Sequence, residues 1–367
     1  MAVTANLVNP SWFGGGFATQ PSSGSGWTHR MSITIPAAQV FGTQTNFDSL
    51  IDLSTITDNA FWDNVKTDGG DLRITQEDGI TEQPLWVRLF NKGANTGLVH
   101  FKYTVQSSSD TVAYLYWGKA AATLYAVGDA LGRNNVFNSI WSAAWFLDVV
   151  PTTPFTIPDV TGSGANGSAG TFSGDTAVAG KFGGAFDFDG TNHAITITDI
   201  AGLNANPESA QWAVVRMPDL VTQTPLAGAI TTNMAWILRA TVSGATLRAV
   251  AQLFDGTTTY TRTGTSDLLG SAWHSMFYGY DKVNFFVGAD GVIEHTAALG
   301  SHAARNPSST RIGSMGTANS FRFKGDLNEV RYSSKAGIDF SDRYKTMHNN
   351  YFSMASFIVE GATEVAA

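Results

Sequence analysis

The sequence predicts an all-β protein: an antiparallel β-sandwich preceded by a smaller antiparallel β domain, with an extended N-terminal arm. Three observations lead there. Short segments alternate apolar and polar residues with period two, as in HRMSITIPA, where Met31, Ile33 and Ile35 oppose Ser32 and Thr34. Turn residues punctuate the second half at the spacing of a sandwich, about every eight to twelve positions. Glycine is abundant (38 residues) and aromatics reach 12%, while only 14% of the chain is charged. That composition suits many short strands joined by tight turns.

Residues 1–27 read as an arm. SWFGGGF sets Trp12, Phe13 and Phe17 around three glycines, and TQPSSGSG follows with linker composition. Three large aromatics predict docking on a neighbouring subunit or domain rather than a solvated tail. Residues 28–138 read as the small β domain, with strands in HRMSITIPA, DLRITQEDG, PLWVRLF, LVHFKYTV and TVAYLYWG. The acidic run DGGDLRITQEDG is expected as solvated turns, and ATLYAVGDALGRNNVFNSI as the first helical or irregular stretch. Residues 139–361 carry about ten further short strands, among them GAFDFDG, QWAVVRM, MAWILRATV and FKGDLNEVRYS. One helix is expected in DFSDRYKTMHNNYF, capped by Ser341, with Asp342 in its first turn and Tyr344 and Met347 on one face. Residues 362–367 read as a tail.

Net charge is −8 and the basic residues are scattered, so no nucleic-acid footprint is expected. The absence of cysteine excludes thiol catalysis, disulfides and cysteine-ligated zinc. No run of about 18 apolar residues predicts a membrane-spanning helix. The N-terminus shows neither a basic nor an apolar secretory region, so export by a leader is not expected.

The stretch AFDFDGTNHAITI poses the main question of chemistry. Alternation sends Phe186 and Phe188 to one face and Asp187 and Asp189 to the other, and Asp189-Gly190 is expected to turn the chain into a hairpin with HAITI. A glycosidase needs two carboxylates about 5–9 Å apart. Asp187 with Asp189 is one candidate pair. Asp326 with Glu329 is another, expected on opposite faces of a strand. The seven histidines show no metal-ligand spacing, with His193, His274 and His295 standing singly. No nucleophile elbow or phosphate loop occurs.

Residues 139–361 resemble the laminin-G-like, concanavalin-type jelly rolls. The phrases that carry the likeness are AAWFLD, DVTGSGANGSAGTFSG, GKFGGAFDFDGTNHAITI, VNFFVGADGVIEHTA and FKGDLNEVRYSSKAGIDFSDRYKTMHNNY. The first block, through FWDNVKTDGGDLRITQEDG, VHFKYTV and TVAYLYWGKAAA, is similar to a domain of unknown function that often precedes such jelly rolls. The resemblance implies an adhesive or structural surface protein and no reaction. It implies calcium as the one ion to consider, with Asp159, Asp187 and Asp189 as candidates, although no cofactor is required. Sugar binding would use exposed aromatics, with Trp236, Tyr260 and Trp273 as candidates.

The expected function is therefore a non-enzymatic virion surface protein, on a phage tail or capsid, contacting host glycans. It would fold in host cytoplasm, form a homo-oligomer and contact other virion proteins through its arm. The alternative is an extracellular carbohydrate-binding module of a cell-surface protein, and a glycoside hydrolase is the third reading.

Overall fold

The computed structural model describes residues 20–22, 24–148, 155–169, 177–197, 208–229, 234–300, 307, 309–315 and 321–365. The arm aromatics Trp12, Phe13 and Phe17 lie outside the described residues. The protein is built mainly of antiparallel β-sheets, as expected. The period-two segments became strands because one face of each is dry. His29–Ile35 buries Met31, Ile33 and Ile35 and leaves Arg30, Ser32 and Thr34 partly exposed.

In the first block this strand pairs with Thr111–Trp117, which also pairs with Arg73–Thr75. A second, three-stranded sheet orders Gln44–Asp52, Thr96–Val105 and Leu85–Asn91. The acidic run is only partly solvated: Asp71 is fully buried, accepting from the backbone N–H groups of Lys66 and Gly118. The C-terminal residues expected as a tail return to this block. Val359–Glu360 and Glu364–Val365 both pair with His29–Ile35.

The sandwich packs two eight-stranded sheets face to face. The helix-side sheet contains, in order, Ala177–Ala179, Gly184–Asp189, Lys324–Ser333, Ser209–Met217, Gly270–Tyr280, Asn284–Ala289 and Val292–Ala298. Ala143–Phe146 also joins Lys324–Ser333. The distal sheet orders Thr259–Thr263, Thr246–Phe254, Met234–Ser243, Gln223–Ala229, Ser309–Ile312, Ile195–Ile197, Gly167–Ala169 and Phe155–Ile157. Between them lie Trp145, Phe186, Phe188, Leu238, Met276, Phe285, Leu327 and Tyr332. Each such side chain contributes about 1.5–3 kcal/mol by burial.

Two strand expectations are corrected. Gly184–Asp189 and Ile195–Ile197 do not form a hairpin: they belong to opposite sheets, so the Asp189-Gly190 turn carries the chain across the sandwich. Phe186, Phe188, Ile195 and Ile197 can thereby all enter one core. Asp326 and Glu329 share a face rather than opposing each other. Val214 pairs with Glu329 and Val215 with Leu327, so Asn328 is an extra residue in a β-bulge that resets the alternation.

The helix spans Phe340–Phe352 and is capped by Asp339, not Ser341: the Asp339 carboxylate accepts from the N–H groups of Ser341 and Asp342. Phe340, Tyr344, Met347 and Tyr351 form its buried stripe. Tyr344 stacks on Trp212 (5.8 Å) and Phe277 (4.5 Å), so the helix lies against the outer face of the helix-side sheet. On its other flank, buried Asn350 satisfies both backbone groups of Leu50 in the first block (2.7 and 2.8 Å). The core here runs continuously from Met31 through Trp212 to Ile358, joining the two blocks.

A dry ionic cluster sits at this junction. Arg331 donates to Asp48, Glu329 and Tyr351, while Trp212 and Trp141 donate to Glu329 (2.8 Å) and Asp48 (3.3 Å). The second guanidinium, Arg343, lies 3.8 Å from Asp48 and donates to the carbonyl of Thr45.

Candidate functional site

The helix packs over Trp212 and Phe277 on the outer face of the helix-side sheet, and part-buried Trp273 lies at the edge of that core. Along Ser209–Met217, alternation turns Ala210, Trp212, Val214 and Arg216 outward. The first three join the core shared with the helix, and Arg216 lies beyond it with its side chain 32% exposed. At this open end four adjacent strands each contribute one outward side chain. Register sets Asp187 opposite Asp326, and Asp326 opposite Arg216. Trp273 falls on the next strand, between the pairs Val215–His274 and Met217–Gly270. Arg216 Nε donates to Asp326 Oδ2, and the guanidinium lies 5.2 Å from the centre of the Trp273 ring. The row Asp187–Asp326–Arg216–Trp273 crosses three interstrand steps, about 14 Å.

Its electrostatics are mixed. Burial, then the neighbouring Asp326, raises the proton affinity of the Asp187 carboxyl above the usual carboxylate range. Burial works the same way on Asp189, but the backbone N–H groups of His193, Thr191 and Asn192 outweigh it and hold that carboxyl well below the usual range. Asp189 therefore secures the turn, while Asp187 presents an exposed carboxyl. Towards the end of the helix, His348 stacks on Phe352 (4.5 Å) and bonds Ser275 Oγ (3.0 Å). Lys181 Nζ stands 5.0 Å from the Phe352 ring. Chemically, an indole face, the exposed Asp187 carboxylate and a guanidinium held by buried Asp326 can meet a ligand bearing C–H faces and hydroxyls.

Of the sequence-derived candidates the structure brings together Asp187, Asp326 and Trp273. Trp236 is a core residue, 3% exposed and stacked on Tyr332 at 4.4 Å between the sheets. Its strand is flanked by the acid-free, alternating segments that pack inward, which is why an aromatic there reads ambiguously. Tyr260 lies two strands from Trp236 in the distal sheet, part-buried, with its hydroxyl donating to Asp255 (2.9 Å). Asp159 is 3% exposed and accepts from Ala144 N, Thr161 N, Ser163 N and the hydroxyls of Thr161 and Ser163. Those donors fold a loop around it and occupy its oxygens, so the three aspartates do not form a shared ligand set. Among the described residues no group of three or more His, Asp or Glu stands together as a metal site.

Arg216 is the addition, and Asp326 stands with it rather than with Glu329. A signal for Asp326 was present, because FKGDLNEV places it in a strand, but its partner lies across the sheet rather than along the chain. Arg216 could be read only as the last outward position of QWAVVRM.

No protein-family model matches the chain, and no curated protein matches it. Some solved structures resemble part of the chain at low identity. Domain 4 of an extracellular arabinanase from Geobacillus stearothermophilus, in complex with arabinotriose, is 19% identical over 57% of this chain and 98% of that one, with a TM-score of 0.42. The binding domain of Paraclostridial Mosquitocidal Protein 1 is 12% identical over 59% and 53%, with a TM-score of 0.46. A native heptameric SAP-like pentraxin from Limulus polyphemus is 15% identical over 49% and 92%, with a TM-score of 0.37. The chain spans about half the length of the toxin binding domains it matches.

Proposed function

We propose that the protein is a non-enzymatic glycan-binding protein, and that the open end of the helix-side sheet receives the sugar. One observation carries this: Asp187, Asp326, Arg216 and Trp273 stand side by side on four adjacent strands at the edge of the core shared with the helix. Trp273 offers its ring to the C–H face of a sugar. Asp187 accepts hydrogen bonds from hydroxyls, and buried Asp326 orients Arg216, which keeps donors for the ligand. As its setting we propose the surface of a phage particle, tail or capsid, with an extracellular module as the alternative. Cysteine-free composition suits folding in a reducing cytosol before release.

Hydrolysis is the second reading, favoured by the direct pairing of Asp187 with Asp326 and by the raised proton affinity of Asp187. Carboxyls opposite each other on neighbouring strands lie near the separation a retaining glycosidase uses. Titrating neutral oligosaccharides into wild type, Trp273→Ala and Asp187→Asn distinguishes the two. Binding without turnover, abolished by Trp273→Ala, supports the binding protein. Product release that stops in Asp187→Asn supports the hydrolase, and no interaction with any neutral glycan removes both.

A further inference from the structure

We infer that the outer face of the distal sheet holds a second binding site, for an acidic glycan, whose carboxylate or sulfate is gripped by Arg239, Arg311 and Arg322 beside the ring of Phe321. The inference does not depend on the open face of the other sheet.

The sequence isolates positive charge here. Between Asp219 and Asp255, and again between Glu294 and Asp326, no acidic residue occurs, yet these two stretches hold six lysines and arginines in a chain of net charge −8. The fold then joins them. Ser309–Ile312 pairs with Gln223–Ala229, which pairs with Met234–Ser243. Leu238, Ala240 and Ile312 point into the core, so alternation sends Arg239 and Arg311 to the outer face. Ala227 lies opposite both Arg311 and Ile237, placing Arg239 two strands and two residues from Arg311. Their Cα atoms are thus about 12 Å apart, within converging reach of two long side chains.

Arg322 stands close enough to Arg311 for the two like charges to interact, and burial with that repulsion lowers the proton affinity of Arg311. Burial alone does so for Arg239. Among the described residues neither Arg239 nor Arg322 forms an ion pair, and Arg239 Nε and Arg322 Nη1 are buried without a hydrogen-bond partner. Elsewhere Arg30, Arg88, Arg216 and Arg331 each face a carboxylate. The part-desolvated guanidiniums of Arg239 and Arg322, without a carboxylate partner among the described residues, are unfavourable unless an anion joins them. The Arg239 guanidinium lies 5.6 Å from the centre of the Phe321 ring, which is 42% exposed and held at φ 48°, a left-handed backbone unusual for a bulky residue. A compact cationic cluster beside one apolar ring fits an acid group carried on a sugar ring. It does not form the long basic track that follows a phosphate backbone.

The test is calorimetric titration of the full chain with tetragalacturonate and with a heparin-derived tetrasaccharide, the two arms separating carboxylate from sulfate. Maltotetraose and an eight-residue oligothymidylate serve as comparison ligands. One acidic tetrasaccharide is expected to bind more tightly than both comparison ligands. Arg239→Gln with Arg322→Gln, and separately the surface change Phe321→Ala, should each weaken it, the arginine pair by about tenfold or more. Trp273→Ala should leave it unchanged. Absence of acidic-glycan binding, equal binding of the oligothymidylate, or affinity indifferent to both variants would overturn the inference.

Discussion

Asp48→Asn tests how the two blocks are joined. Asp48 is 1% exposed, accepts from Arg331 and Trp141, and has Arg343 3.8 Å away. Asparagine keeps the shape and removes the charge. Arg331 then keeps Glu329, while Arg343 loses the carboxylate 3.8 Å away, leaving one uncompensated positive charge in a buried site. Removing one partner of a buried ion pair costs about 3–5 kcal/mol, because the desolvation of the remaining charge is no longer offset. The exposed pair Arg30–Glu364, in which Glu364 is 46% exposed, sets the contrast, since such pairs contribute about 0.2–1 kcal/mol. Urea unfolding at pH 7, followed by tryptophan fluorescence, reads both Asp48→Asn and Glu364→Gln. A loss under about 1 kcal/mol for Asp48→Asn, on the scale of the surface pair, would refute the cluster as the lock between the blocks.

Acid should weaken the fold through His100. It is fully buried against Trp86, Phe137 and Phe146, neither ring nitrogen has a partner among the described residues, and burial, then Arg88 and Arg331, hold it neutral well below the ordinary imidazole range. The unfolded chain binds a proton near pH 6.5 that the folded imidazole refuses. Its contribution is therefore complete above that pH and declines below it, by up to about 1.4 kcal/mol per unit. His29 and His348 shift the same way, so the difference between wild type and His100→Phe across pH 4.5–7.5 isolates His100. A curve unchanged by the substitution would contradict this. Asp339→Ala should cost about 1 kcal/mol as loss of the helix cap, and Ser341→Ala clearly less; thermal melts that reverse the order would restore Ser341 as the cap. Gly228→Ala places a Cβ 2.5 Å from the Trp236 ring and should cost about 1–3 kcal/mol in urea while leaving glycan affinity unaltered. Altered affinity would return Trp236 to the ligand site.

The sandwich was legible because inward and outward residues alternate without interruption in segments such as MAWILRATV and QWAVVRM. Pairing was less so. Phe186, Phe188, Ile195 and Ile197 alternate equally well whether their strands form a hairpin or cross between sheets, and only the opposite sheet's need for core side chains decides it. The bulge at Asn328 was hidden for a related reason, since one extra residue inverts the face of everything beyond it. The cap fell to Asp339, two residues before the expected cap Ser341, because its carboxylate reaches two N–H groups. Of the candidate site, Asp187, Asp326 and Trp273 could be found along the chain. Asp326 and Arg216 became partners only through cross-strand register, as did Asp48 and Arg331, 283 residues apart.

Hydrogen exchange of the full chain, with and without a neutral oligosaccharide that binds it, tests the central claim most directly. Glycan binding at the open face should slow exchange in peptides covering Asp187–Phe188, Val215–Arg216, Trp273–His274 and Gly325–Asp326, and should leave the distal-sheet strand Thr246–Phe254 unchanged. Protection confined to other segments, or none at saturating ligand, would contradict it.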